Sequence, residues 1–310
     1  MALNYAEVWS PDLLEIMEQE SLTSPFVTTA VKWLSAKTFH FTQMSTSGYK
    51  SHSRLGGWNK GTFAQTDVPF TLTHDRDISF LVDKIDVDET NETASIKNIS
   101  EVFHKTQQIP EMDAYFYSKV ATEAQKLDGY HSSTALSSYT KENVYGKLKA
   151  MLSAGKLRRY VAKGALIAYV NSTIMDLLEQ SADFTRKIEM TQIAEGGIGI
   201  ETRITDIDGV TLIEVIDDER FYDKFDFTDG FAPVASTSHK INVLIASPLT
   251  VKTVPKIASI YYFNPGQHTE GDGYLYQDRS LSDTFVFPNG KDNKIDSIYV
   301  DVDTETYTAE

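Results

Sequence analysis

Between Ser21 and Thr66 the chain carries no Asp or Glu, although acids outnumber bases 44 to 29 over its 310 residues. At the chain's average acid frequency, about six or seven would fall in those 46 residues. The segment holds Lys32, Lys37, Lys50, Arg54 and Lys60, a charge of +5, so the whole-chain charge of −15 leaves −20 on the rest. Phe39, Phe41, Tyr49, Trp58 and Phe63 are interleaved with the cations. Its centre, residues 45–57, is dominated by Ser and Gly and reads as a long loop. Three uses fit such a segment. It is a solvated loop with a biased charge. It is a basic, aromatic surface for single-stranded nucleic acid, a reading opposed by the acidity of the remaining chain. Or it is an arm that lies on the acidic body of a second copy, with opposite potentials setting partner and register.

The length allows one elaborate domain or two to three lobes. Hydrophobic residues make up 41% of the chain, so a core forms but much of the chain must lie at a surface or an interface. With no cysteine there is no disulfide, no thiolate nucleophile and no Cys-ligated zinc or iron–sulfur cluster. The longest clean apolar run, residues 165–170, is far short of a membrane span. The first residues, Met1-Ala2-Leu3-Asn4-Tyr5, lack the basic and apolar regions of a secretory signal. Cytoplasmic synthesis is the expectation.

Ser10-Pro11-Asp12 predicts a helix start, followed by Leu13, Leu14, Ile16 and Met17 on an apolar face. A second short helix is expected over 25–34, the two forming an N-terminal arm outside the core. Residues 38–44 and 63–87 alternate apolar and polar side chains and predict strands flanking the basic loop. The stretch 36–77 therefore reads as a long two-stranded excursion, which must pack on something else to be stable.

After Ile109-Pro110 comes the clearest helix. Met112, Phe116, Val120, Ala124 and Leu127 recur at helical spacing, and Asp128-Gly129 should end it. Another helix is expected from about Thr140, presenting Val144, Leu148 and Leu152. Residues 165–170 predict a buried strand, with Asn171 or Ser172 capping a helix that faces inward through Ile174, Leu177 and Leu178. Ile198, Ile200 and Ile204 suggest a strand, Asp208-Gly209 a tight turn, and Val210, Leu212 and Val215 its return. Acidic, aromatic residues 217–230 read as a surface connection. Residues 240–246 and 251–263 are β-rich, 264–273 a loop, and 285–287 and 295–302 closing strands. The fold class expected is α+β.

No phosphate loop, dinucleotide fingerprint, nucleophile elbow or His-Glu-x-x-His motif occurs. The seven histidines have no ligand spacing. In Asp206-Ile207-Asp208-Gly209 the glycine comes too early for a calcium loop, which favours a hairpin turn. Asp217-Asp218-Glu219 and the acids of 86–92 read as solvated turns before they read as cation sites. No carboxylate pair stands out for glycoside hydrolysis. Neither a catalytic residue, a metal site nor a cofactor is assigned.

The order of elements resembles the HK97-type major capsid protein of tailed bacteriophages. Local phrases carry the likeness too. Ala165-Leu166-Ile167-Ala168-Tyr169-Val170-Asn171 before a helix resembles the entry into that family's A-domain. Ile241-Asn242-Val243-Leu244-Ile245-Ala246-Ser247-Pro248-Leu249-Thr250-Val251 is similar to a segment of capsid proteins from siphovirus-like phages of Gram-positive hosts. So is the ending, with Asp283-Thr284-Phe285-Val286-Phe287 and then Asn293-Lys294-Ile295-Asp296-Ser297-Ile298-Tyr299-Val300. The resemblance implies an N-terminal arm at 1–35, an extended E-loop at 36–77, and a P-domain at 78–160 with a spine helix at 110–127. An A-domain would follow at 161–283 and a return to the P-domain at 284–310.

It further implies a structural, non-enzymatic protein that forms pentamers and hexamers of an icosahedral shell around double-stranded DNA. That shell would be a virion capsid assembled in the host cytoplasm. In the family the E-loop reaches over a neighbouring subunit, which makes Tyr49, Lys50, Arg54, Trp58 and Lys60 the candidate intersubunit contacts. Expected partners are further copies of the chain, a separate scaffolding protein, a portal protein, a possible decoration protein and packaged DNA held weakly and non-specifically, with no membrane. A separate scaffold is expected because the chain starts almost at the arm. Some members form Lys–Asn cross-links, but no matching Asn and acidic helper is assignable here, so none is expected. The alternatives are an encapsulin-like compartment shell, a phage tail or receptor-binding protein, and, least favoured, an acidic hydrolase.

Overall fold

The computed structural model describes residues 21–29, 33, 35, 37–52, 56, 58–84, 96–181, 204–288 and 294–308. Helices and strands mix without a repeating strand–helix order, which makes the class α+β. The expected helix after Ser10-Pro11-Asp12 lies outside the described residues.

Alternation produces the first strands where expected. β1 (Thr38–Thr46) pairs antiparallel with β2 (Phe63–Thr71), from Thr38 opposite Thr71 to Thr46 opposite Phe63. The single strand expected over 63–87 is broken at Leu72-Thr73, and β3 (His74–Asp83) follows as a separate strand. Leu72 turns inward and its N–H donates to the Lys37 carbonyl at 2.9 Å, closing the hairpin's root. β3 joins a different sheet, in which β11 (Val251–Phe263), β12 (Gly273–Val286) and β3 lie side by side, all antiparallel. β12 was not legible as one strand. Its second half carries Asp278, Arg279, Ser280, Ser282 and Asp283, which interrupt the apolar pattern; distant partners hold two of them, Thr73 and Tyr115 at Asp283 and Asp75 at Arg279.

At the start of β12, a Cβ on Gly273 would sit 2.3 Å from the Val82 carbonyl oxygen of β3. Backbone cannot yield there as a flexible side chain can. Gly273→Ala is expected to cost about 1–3 kcal/mol by prising β3 from β12, read as a lowered urea midpoint.

The long helix begins earlier than expected. α1 (Ile96–Phe103) runs through a π-helical turn (His104–Gln108) into α2 (Ile109–Gln125). Together they span about 45 Å at 1.5 Å per residue. Pro110 does not start the helix. A proline inside a regular helix lacks a donor and crowds the carbonyl four residues back, and a widened turn just before it relieves both. The helix ends at Gln125, with Gly129 at φ +80° in the following turn.

The one-faced burial expected for this helix is also incomplete. Asp113 through Ser118 are buried all round, whereas Met112 and Leu127 are only half-buried. The reason is a layer on each side. A six-stranded sheet covers one side of α2, and the Thr73–β12 region covers the other. In that sheet the order is β4 (His131–Ser133), β13 (Ile298–Thr306), β10 (His239–Ala246), β5 (Ile167–Asn171), β7 (Val210–Val215) and β6 (Ile204–Ile207). β5 and β7 are parallel, as are β13 and β4, and the other pairs are antiparallel.

α2 packs through Phe116, Tyr117, Val120 and Ala124 on one face of this sheet. The opposite face is covered by α3 (Val144–Leu152) and α5 (Ser172–Glu179), with the single turn α4 (Arg158–Val161) beside them. Val144, Leu148, Leu152, Ile174 and Leu178 are buried as expected, Leu177 is half-buried, and Met175 joins them. Because both faces are covered, Ile241 through Ala246 are buried without alternation. Asn171 caps α5, its Oδ1 accepting from Thr173 N–H at 2.9 Å. Asp208 and Gly209 both have positive φ, 53° and 79°, in the two-residue turn joining β6 to β7. Asp206 accepts from the Gly209 N–H there, so the calcium-like phrase is hairpin chemistry. Ile198 and Ile200 lie outside the described residues.

Two other expectations change. In 25–34 the described residues contain only a 3₁₀ turn (Ser24–Phe26), then Val27 bridging Thr253 and Trp33 bridging Phe39. Phe26 is fully buried between Phe116 and Tyr169, so this part of the arm belongs to the core. Apolar packing and bridging overrode the weak helical pattern. Residues 217–230 are likewise not wholly surface: Phe221 and Asp223 are fully buried. Gln125 donates to Asp223 at 2.8 Å, as does His239 N–H at 2.7 Å, and Phe221 packs on Tyr117. The small ribbon of β8 (Phe225–Asp226) and β9 (Ala232–Pro233) follows.

Candidate assembly surface

The β1–β2 hairpin is anchored at its root and bare at its tip. At the root Phe39 and Phe70 stack with ring centroids 5.6 Å apart, and both meet Phe285 and Phe287 edge-on at 5.0–6.3 Å. This cluster buries Phe39 and Leu72 against Val254 and Leu281. It supplies the packing partner that a two-stranded ribbon requires.

Carboxylates fix the root's direction. Asp283, almost wholly buried on β12, accepts from the N–H and hydroxyl of Thr73, each at 2.9 Å, and from the Tyr115 hydroxyl of α2 at 2.8 Å. The hinge between β2 and β3 is thus tied to the long helix. Outside, Asp75 joins Lys37 at 3.1 Å to Arg279 at 2.9 Å. Hydrogen bonds from Arg279 and then Lys37 hold the Asp75 carboxyl down at about 2. The pairs are exposed and contribute little energy each, but they brace β1 against β12.

Toward the tip the contacts stop. Met44, Tyr49, Trp58 and Phe63 are exposed, Tyr49 at 109% and Trp58 at 94% of full accessibility. Ser47 and Thr62 pair across the loop, with the Ser47 N–H donating at 2.8 Å. Asn59 donates to the Ser51 carbonyl at 2.9 Å, and the Lys50 ammonium lies 3.5 Å from the Lys60 carbonyl. The Lys50 ammonium therefore reaches the Lys60 backbone, while Tyr49 and Trp58 are exposed, the Trp58 ring lying 6.3 Å from that of His52. Arg54 lies outside the described residues. Tyr49, Lys50, Trp58 and Lys60 are the described residues that the capsid resemblance implies as intersubunit contacts. The sequence did not single out Met44 and Phe63 as exposed. Nor did it find Thr73, Asp75, Tyr115 and Asp283, whose only signal was a break between two alternating runs.

The arm is held at its other end by Asp113 of α2, which is fully buried. Ser21 Oγ donates to it at 2.6 Å, Thr23 Oγ1 at 2.8 Å, and the Arg220 guanidinium at 3.0 Å. Burial raises its pKa, while Arg220 and these donors oppose the rise. Asp301 plays a similar part under the six-stranded sheet, accepting from Tyr139 at 2.6 Å and from Thr134 and Asn242 at 2.8 Å. Such carboxylates are structural fasteners with their acceptor capacity taken up.

Among the described residues no group of three or more His, Asp or Glu is placed to hold a metal ion. Asp217 caps a 3₁₀ turn and pairs with Arg220, and Asp218 pairs with Lys240. The acids of 86–92 lie outside the described residues. Among the described residues no helix is long and apolar enough to cross a membrane.

No family model matches the sequence, and no curated protein sequence matches it. Solved structures do. The mature capsid of bacteriophage PhiM1 aligns with a TM-score of 0.63 at 14% identity, covering 93% of this chain and 88% of that one. A chain from Mycobacterium phage Ogopogo aligns at 0.56 and 8% identity, covering 92% of each. The capsid of cyanophage P-SCSP1u aligns at 0.54 and 10% identity, covering 90% of this chain and 86% of that one. The fold is thus the HK97-like fold of phage capsid proteins, over nearly the whole chain.

Proposed function

We propose that this chain is a phage major capsid protein that assembles through pentamers and hexamers into an icosahedral shell around double-stranded DNA. The observation that carries the reading is the hairpin. A ribbon rigidly braced at its root holds three unburied aromatics, Tyr49, Trp58 and Phe63, and the exposed Lys50 and Lys60 out in solvent. Within one copy that exposure is costly and useless, whereas against a neighbour it is a clasp. Trp58 is the expected apolar anchor of the contact and Lys50, Arg54 and Lys60 its electrostatic part. Tyr49 completes it. The role is mechanical, built from many copies of one interface closed by symmetry.

The −20 carried outside the basic segment suits a wall that holds packaged DNA only weakly. A separate scaffolding protein, a portal protein and a decoration protein are the further partners this role would use, and the virion capsid its location. The test is sedimentation velocity of the purified full chain across a concentration series, alone and with a candidate scaffold. The capsid reading predicts a cooperative shift from monomer or capsomer to megadalton particles. Monomers or trimers at every concentration, with scaffold present, would overturn it.

A further inference from the structure

The π-helical turn (His104–Gln108) rests on β12 through a chain of polar groups. The Gln108 side-chain amide donates to the Asp278 carboxyl. Its carbonyl oxygen accepts from His104 Nδ1–H, and His104 Nε2 accepts from the Tyr276 hydroxyl at 2.9 Å. That pattern uses the neutral imidazole, and burial lowers the His104 pKa, which keeps the ring neutral. The chain ends on a fault. Asp278 is 6% exposed, and its Oδ2 is buried with no hydrogen-bond partner among the described residues. A buried carboxylate oxygen without a donor is costly when ionised, and such a group needs an account.

The surroundings of Asp278 are apolar or already paired. Ile78 of β3 and Ile260 of β11 stand opposite it, and Tyr276 and Ser280 flank it on the same face of β12. In the turn itself, Lys105 is exposed and held by Glu101 at 2.8 Å. Beside Asp278 lies a cleft of about 580 Å³ that His74, Arg76, Glu111 and Asp229 also line. Arg76 is a cation there, but its Nε lies 2.6 Å from Glu111 and its terminal nitrogens donate to the carbonyls of Phe227 and Gly230. Burial raises the Glu111 carboxyl, and Arg76 opposes the rise. His74 is held neutral, its pKa lowered to about 4 by burial and then by Arg76. Asp229 is exposed. Asp75 and Asp77 belong to the other face of the sheet, with Arg279. Burial therefore raises the Asp278 carboxyl to about 6, with the Gln108 bond working against it.

We infer that Asp278 is a proton-operated latch between the long helix and β12. With the carboxyl neutral, Gln108 stays on it and the π-helical turn stays seated. With the carboxyl ionised, the side chain turns into the cleft for hydration, drops Gln108 and lets the turn lift. The turn is where the helix yields most easily. Widened turns of this kind recur at functional sites, and Pro110 withholds one helical hydrogen bond just beyond it. The latch belongs to the single chain and does not depend on the assembly reading. Its sign follows from a folded pKa raised above the unfolded value of about 4. The seated state is favoured most below that value, loses its advantage as pH rises to about 6, and changes little above.

Hydrogen exchange of the purified full chain measures the opening, read by mass spectrometry on a peptide spanning residues 103–109 and corrected for the intrinsic pH dependence of exchange. The opening constant should rise about tenfold from pH 5 to pH 7. In Asp278→Asn, which keeps the shape and removes the charge, it should stay flat and lie below the parent's at pH 7. Peptides from β10 should show no such rise in either chain. A flat profile in the parent chain would overturn the inference without recourse to any variant. So would a rise shared by β10, which would be general loosening, or a rise that survives in Asp278→Asn, which would assign the titration to Glu111 or His104.

Discussion

Deleting residues 49–59 will abolish particle formation and leave a folded monomer. The deletion removes Tyr49, Lys50 and Trp58 but retains the Ser47–Thr62 pairing that closes the strands. It touches none of the root cluster around Phe39, Phe70, Phe285 and Phe287, nor the Asp283 tie to Thr73 and Tyr115. Exposed tips tolerate excision, and loop-closure entropy changes only slowly with length, so monomer stability should shift by less than about 1 kcal/mol. Assembly multiplies one contact over every subunit, so losing even a modest clasp prevents closure. Circular dichroism and melting temperature should match the full chain, while light scattering shows no large particles. Normal particles from the deletion would contradict the clasp.

Asp113→Ala should be the most damaging point substitution in the monomer. Asp113 joins three separate parts of the fold: Ser21 and Thr23 of the arm, α2 itself, and Arg220 of the 3₁₀ turn after β7. Truncation strands the Ser21 and Thr23 hydroxyls and leaves the Arg220 cation, only 17% exposed, with the more exposed Asp217 as its remaining counter-charge. Breaking one side of a buried pair costs about 3–5 kcal/mol, a large share of the roughly 5–15 kcal/mol available to a domain. A fall of about 10 °C in melting temperature is expected. Asp113→Asn, which keeps an acceptor for Ser21 or Thr23, should lose less. Equal stability of Asp113→Ala and the parent chain would mean that the arm is not held this way.

How far the sequence could be read depended on how local the determining physics was. The Asp208-Gly209 turn, the Asn171 cap and the apolar run of β10 depend on neighbours within a few residues, and each was legible. The basic, aromatic character of the hairpin tip was legible too, because missing acids and interleaved aromatics are compositional facts, whereas their exposure is not. Its root was not. Thr73 and Asp283 are 210 residues apart, and neither has meaning without the other. β12 was hidden by the same cause, since its buried acids look like loop residues until Tyr115, Thr73 and Gln108 stand beside them. The helix before Pro110 was concealed by a proline that a π-helical turn accommodates. Phe221 and Asp223 were misread as surface because acidic and aromatic neighbours outweighed their own burial.

Negative-stain electron microscopy of the purified full chain, alone and with a candidate scaffold at high concentration, tests the central claim most directly. The account predicts closed shells, or rings with five-fold and six-fold symmetry. Fields of monomers or trimers under both conditions would contradict it, leaving the fold to serve a tail or enzymatic role.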